Sequence, residues 1–144
     1  KNKNMATTTA QLILTSTDLL SDSLSVSAIS TLTQTGTNTG ITMTTGLARA
    51  KVTSTAKGTA SGQVTLYTAD DYAAIPYLYV KNLANTAGHK VYIYDDTTSG
   101  DPIQFQLDAN DWAFIPMHGD KTFKAYSPGG NDPHVEWMVL GQDQ

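Results

Sequence analysis

The 144-residue chain has no cysteine, which excludes a disulfide framework and any thiolate-bound metal. Charge is sparse as well: Asp, Glu, Lys and Arg make up 15% of the chain, well short of the charge density of a disordered tail, so a folded domain is expected. Basic residues are fewer than acidic ones, and the net charge of −4 argues against a general phosphate-binding surface. Nucleic acid is therefore not an expected partner. No apolar run is long enough for a signal h-region or a membrane span, so no export signal and no membrane partner are expected. The Leu-rich 3.6-residue periodicity of amphipathic helices is missing too.

What remains is strand chemistry. Hydrophobic residues make up 40%, enough for one core in a chain of 15.4 kDa, and Thr and Ser crowd the first half. Alternation of period two recurs along the chain: Leu24, Val26 and Ala28 against Ser23, Ser25 and Ser27, then Ala48, Ala50 and Val52 against Arg49, Lys51 and Thr53. Val64 and Leu66 mark another strand, and Leu78 with Val80, Val91 with Ile93, and Ile103, Phe105 and Leu107 continue the series. Phe123 with Ala125, and Val135, Trp137 and Val139, complete it. Gly-, Asn- and Pro-bearing turns separate these runs, as in Thr35–Gly40, Lys57–Gly62 and Ser127–Pro133. Roughly eight short strands with turns about every ten residues predict an all-β fold, an antiparallel β-sandwich or jelly roll. Two single helical turns are expected besides, over Thr17–Ser21 and over Thr68–Ala74 with Thr68 as N-cap.

Residues 1–22 are expected to form an extended N-terminal arm and residues 23–144 the sandwich. Ala6-Thr7-Thr8-Thr9-Ala10 has no alternation to bury, while Leu12, Ile13, Leu14, Leu19 and Leu20 form an isolated apolar cluster suited to a partner surface. Tyr77, Tyr79, Tyr92 and Tyr94 are expected on one face of an antiparallel hairpin whose other face carries Leu78, Val80, Val91 and Ile93. With both faces apolar, a second sheet covers one and a neighbouring subunit would cover the other.

Candidate chemistry is thin. His89, His118 and His134 are far apart, beside Gly- or Pro-containing turns, without the spacing of a zinc site, so no metal is expected on them. Asp95, Asp96 and Asp101 make an acidic loop where calcium is conceivable, but without EF-hand spacing they read as turn residues. Asp108 and Asp111 sit in one short turn and not across a groove, as a glycosidase pair must. There is no Gly-x-Ser-x-Gly elbow and no phosphate loop. No enzymatic activity, no cofactor and no catalytic residue are expected.

Three segments resemble the virion structural proteins of tailed phages. Tyr77-Leu78-Tyr79-Val80-Lys81-Asn82-Leu83 is similar to their aromatic-Val-Lys-Asn strand running into a polar loop. Leu107 to Pro116, with Trp112, Phe114 and Pro116 after a polar turn, resembles their aromatic hairpin, and Val135–Val139 their closing strand. The start over Ala6–Leu20, Ser/Thr-rich with a small apolar cluster, is similar too. The resemblance implies assembly and no chemistry. Its most specific form is a capsid decoration (cement) subunit, a homo-oligomer, in such proteins commonly a trimer, binding the major capsid protein between capsomers on the outer surface of the virion. A tail, baseplate or head-tail component, or a carbohydrate-binding module, is the alternative.

Overall fold

A computed structural model describes residues 7–16, 24–33, 43–58, 61–72, 75–98 and 100–141. Among them there is no helix, and the chain divides into two compact units, Lys1–Ile41 and Thr42–Gln144.

The first unit holds a two-stranded ribbon, β1 (Thr7–Ser16) antiparallel to β2 (Leu24–Thr33), in unbroken register from Thr7↔Thr33 to Ser16↔Leu24. Alternation along each strand selects the pairing in which Leu12 faces Ala28 and Leu14 faces Val26. This corrects the division expected at residue 22: Leu24–Thr33 was assigned to the sandwich, yet it pairs with the would-be arm. Its polar-apolar alternation makes it a strand but does not say which strand it joins. The predicted helical turn over Thr17–Ser21 and the site residues Leu19 and Leu20 lie outside the described residues.

The second unit is an antiparallel sandwich of nine strands: β3 (Met43–Thr44), β4 (Ala48–Lys51), β5 (Val64–Tyr67), β6 (Tyr77–Asn82), β7 (Val91–Asp95), β8 (Ile103–Leu107), β9 (Trp112–Pro116), β10 (Phe123–Tyr126) and β11 (His134–Gly141). Sheet I runs β4-β11-β6-β9, with the short β3 beside β4 on the same edge of β11; sheet II runs β5-β10-β7-β8. Numbered within β4 to β11 alone, these orders are 1-8-3-6 and 2-7-4-5, the strand order of a jelly roll. The all-β sandwich read from the sequence is therefore the fold of this unit. Every connection from β4 to β11 changes sheet except β7 to β8.

The two inner faces meet in one core. Leu78, Val80, Val135 and Val139 of sheet I are fully buried, and so are Val91, Ile93 and Ala125 of sheet II. Phe123, Leu66 and Leu107 belong to the same cluster, and Trp137 lies partly buried against it, its indole N–H donating to the Leu66 carbonyl at 3.1 Å. At the end of β6, Asn82 is buried. Its amide donates to the carbonyls of His89, Leu107 and Asp108 at 2.7, 3.2 and 3.1 Å and accepts the Ala84 N–H at 3.0 Å. One side chain of sheet I thus satisfies carbonyls just before β7 and at the end of β8 in sheet II, a buried one of which would cost about 1–3 kcal/mol if left without a partner.

Two further expectations change. β6 and β7 do not form a hairpin: β6 pairs with β11 and β9, β7 with β10 and β8, and residues 83–90 carry the chain from one sheet to the other. The segment after Thr68 is a turn and not a helix, because Asp70 adopts a φ of 66°, outside the helical range, while the Asp71 carboxylate accepts the Thr68 N–H at 2.8 Å.

Candidate interaction surfaces

Since β6 and β7 belong to different sheets, the four tyrosines fall on two opposite outer faces. On sheet II, Tyr92 and Tyr94 point away from the core beside Tyr126, with ring centroids of 5.4 Å for Tyr92–Tyr126 and 5.7 Å for Tyr94–Tyr126. This face is covered by the chain itself. The β4–β5 connection crosses it: Lys57 donates its ammonium to the carbonyls of Gly100 and Asp101, and the Ser54 carbonyl accepts the Ser127 N–H at 2.9 Å. Tyr94 is consequently 0% exposed. Burial first, and the Asp96 carboxylate next, push its hydroxyl up to about 12.

On sheet I the cover is partial: Leu140, opposite Tyr77, is 6% exposed, whereas the side toward β9 is more open. Register places Tyr77, Tyr79 and Lys81 of β6 beside Trp112, Phe114 and Pro116 of β9, all on the outer face, because the intervening Leu78, Val80, Ala113 and Ile115 point inward. The Tyr77 and Phe114 rings stack at 5.7 Å with an interplanar angle of 15°. Trp112 is 54% exposed, a large apolar surface left in water at the edge of the sheet. Next to the rings, Glu136 of β11 accepts Arg49 Nε at 2.6 Å and the Tyr79 hydroxyl at 3.0 Å. The hydrogen bond from Arg49, helped by that from Tyr79 and by the Arg49 and Lys81 charges, outweighs burial and holds the Glu136 carboxyl below its usual range. Burial, then the Glu136 bond, raises the Tyr79 hydroxyl in turn. The face is therefore an aromatic strip with the Arg49–Glu136 ion pair along one side and Lys81 opposite Trp112.

The remaining predicted site residues lie on the ribbon. Leu12, Ile13 and Leu14 are 42%, 60% and 47% exposed, Leu12 and Leu14 on one face and Ile13 on the other. Trp112 and Phe114 were not among the predicted site residues, although the same period-two parity that sorted Tyr77 from Leu78 sorts them from Ala113 and Ile115.

The acidic turns hold themselves. Asp95 is buried and accepts the amides of Thr97 and Thr98 and the Thr98 hydroxyl, and these bonds outweigh burial to keep its carboxyl below the usual range. Asp111 accepts the Asp108 N–H at 3.0 Å, closing the turn in which Asn110 takes a φ of 66°. No group of His, Asp and Glu residues suited to a metal occurs among the described residues. The chain matches no family model, no curated protein and no solved structure.

Proposed function

We propose that this chain is a non-enzymatic structural subunit of a tailed-phage particle, a decoration subunit that docks on assembled coat protein through the outer face of sheet I. The observation that carries the docking face is the contrast between the two outer faces: the chain buries Tyr94 and Tyr126 of sheet II, and leaves Trp112 of sheet I 54% exposed beside the half-buried Tyr77 and Phe114 rings. A strip of aromatic rings beside the Arg49–Glu136 pair offers apolar area to an interface core, with Lys81 opposite Trp112 as a charge that the partner has to meet with an acidic group. The assignment to a phage particle rests on the sequence resemblance of β6, β9 and β11. The mechanism is linkage: a subunit that binds assembled capsid and not loose coat protein stabilises the shell by about 2.7 kcal/mol per site at a free concentration 100 times its Kd.

Exposed Trp112 favours carbohydrate binding as a second reading, through stacking of a sugar on the indole. Against it, the Tyr77 and Phe114 rings occupy each other's faces and leave no broad platform.

Electron microscopy of particles carrying the chain, together with co-sedimentation of purified chain with capsids stripped of external proteins, tests the proposal. The expected result is density on the outer capsid between capsomers and saturable binding that Trp112→Ala weakens at least about tenfold, as for a hot-spot aromatic. Density confined to the tail or baseplate, or indole fluorescence that responds to soluble glycans and not to capsids, would overturn it.

A further inference from the structure

An edge strand offers unpaired backbone N–H and C=O groups, and native sheets blunt their edges with charge, bulges or shortness. The sandwich does so along most of its rim. In sheet I, β3 has two residues and β4 carries Arg49 and Lys51; in sheet II, the ladders to the edge strands β5 and β8 each shift register, at Phe123/Lys124 and at Ile93/Tyr94. β9 is different. It reads Trp112-Ala113-Phe114-Ile115-Pro116 without a charge, its register with β6 is unbroken and its proline stands last. Among the described residues no strand lies on its other side.

The ladder to β6 fixes which groups are open. The Asn82 N–H donates to the Asp111 carbonyl at 3.0 Å and the Met117 N–H to the Pro76 carbonyl at 2.8 Å, so the backbone groups of Asp111, Ala113, Ile115 and Met117 point at β6. Those of Trp112, Phe114 and Pro116 alternate with them and point outward. The open edge therefore offers N–H and C=O at Trp112 and Phe114 and a carbonyl at Pro116. The side chains of these same residues stand on the outer face of the sheet.

We infer that β9 receives an extended segment of the partner as an added strand of sheet I, and that this segment carries a carboxylate opposite Trp112. Strand addition draws affinity from main-chain hydrogen bonds and specificity from alternate side chains. The incoming residue opposite Phe114 lies beside the stacked Tyr77 and Phe114 rings and is apolar. The one opposite Trp112 continues the row Arg49, Glu136, Lys81, Trp112 that crosses β4, β11, β6 and β9. In that row Glu136 is bonded by Arg49 and Tyr79, while among the described residues Lys81 forms no ion pair. The neighbouring turn does not supply one: Asp108 faces Lys90 at 3.6 Å, and Asp111 accepts the Asp108 N–H. Two strand spacings, about 9.6 Å, separate Lys81 from the incoming residue, within the combined reach of a lysine and a glutamate. A second copy of β9 fits poorly. Antiparallel pairing centred on Phe114 sets Pro116 against Trp112 and leaves both Trp112 carbonyls without a donor.

That the segment belongs to coat protein rests on the docking proposed above, whereas the added strand rests on β9 itself, and two experiments separate them. In the first, hydrogen exchange is followed in the full chain alone and bound to stripped capsids. The Trp112 and Phe114 amides are expected to exchange at least about tenfold more slowly in the complex. Phe114→Pro removes an N–H that sheet I does not use, and Phe114→Ala keeps it while losing the same ring, so the proline variant is expected to bind capsids at least about tenfold more weakly than the alanine variant, with similar melting. In the second, the isotope-labelled chain is titrated with a synthetic peptide of alternating Val and Thr that carries one central Glu. Amide shifts at Trp112 and Phe114 are expected to saturate with a Kd below about 1 mM, and a Lys in place of the peptide's Glu to weaken binding at least about threefold. Capsid binding that leaves both amides unprotected, or a peptide that moves neither, would overturn the added strand. Equal affinity for the Glu and Lys peptides would overturn the carboxylate. Peptide binding at β9 without capsid binding would uphold the open edge and remove coat protein as its partner.

Discussion

The two outer faces of the sandwich begin from similar sequence and end unequally covered, with Tyr94 buried on one and Trp112 54% exposed on the other. Tyr77-Leu78-Tyr79-Val80 and Val91-Tyr92-Ile93-Tyr94 both alternate tyrosine with an aliphatic residue, and in both the aliphatic residue fills the core. What differs is the neighbouring connection. The one between β4 and β5 spans residues 52–63 and reaches across sheet II, whereas the turn between β8 and β9, residues 108–111, closes on itself and covers nothing of sheet I. Tyr94 is thus fully buried while Tyr77, Tyr79 and Tyr92 stay half-buried, for reasons that lie outside the stripes.

The sharpest way to break this comparison is truncation on each side. Tyr94→Ala removes a fully buried ring together with its hydroxyl bond to Asp96 and is expected to cost about 3–5 kcal/mol in denaturant unfolding. Trp112→Ala, although it deletes the larger ring, is expected to stay within about 1 kcal/mol. Equal losses would mean that sheet I is covered as well.

The covered face should also show itself in alkali. Folding holds the Tyr94 hydroxyl protonated, so its contribution is complete below the ordinary tyrosine value near 10.0 and is lost as pH rises through about 12. Ultraviolet titration is expected to show late-ionising tyrosine released together with unfolding, and Tyr94→Phe to remove part of that late signal. At the acid end, Asp95 contributes above the ordinary carboxylate range and ceases to as pH falls through its depressed value, so Asp95→Asn should flatten the acid limb of a stability-pH curve.

Smaller effects sharpen the same contrast. Lys57→Ala removes the strap over sheet II and is expected to cost about 1 kcal/mol while speeding amide exchange in residues 55–58. Arg49→Ala breaks the pair with Glu136 on the open face, where the Arg49 side chain is 65% exposed, and should change stability by less than about 1 kcal/mol in a salt-dependent way.

Strands were legible in the sequence because side-chain parity is a local property; partners were not, because pairing is decided elsewhere. Residues 83–90 have the length of a hairpin loop, and nothing in their composition says that they cross between sheets. Asn82 ties the two ends of that crossing together, its amide bonded to carbonyls at His89, Leu107 and Asp108, yet in sequence it is only a polar residue ending a strand. The same limit hid the partner of Leu24–Thr33. Parity also sorted Arg49 and Lys51 outward and Ala50 and Val52 inward, as the structure has them, without showing that Arg49 would meet Glu136 across β4 and β11.

The pairing of β3 and β4 with β11 has a mechanical consequence. Met43 lies opposite Gly141 and Ala48 opposite Trp137, so the chain enters and leaves the sandwich at the same end of one antiparallel ladder. A pull applied between residues 42 and 141 therefore loads the hydrogen bonds one after another, like a zipper, where parallel strands drawn from opposite ends would share the load at once. Tension passed along the chain would peel β3 and then β4 from the sheet edge at low force. Attachment through the outer face of sheet I would instead spread the same force over β6, β9 and β11 together.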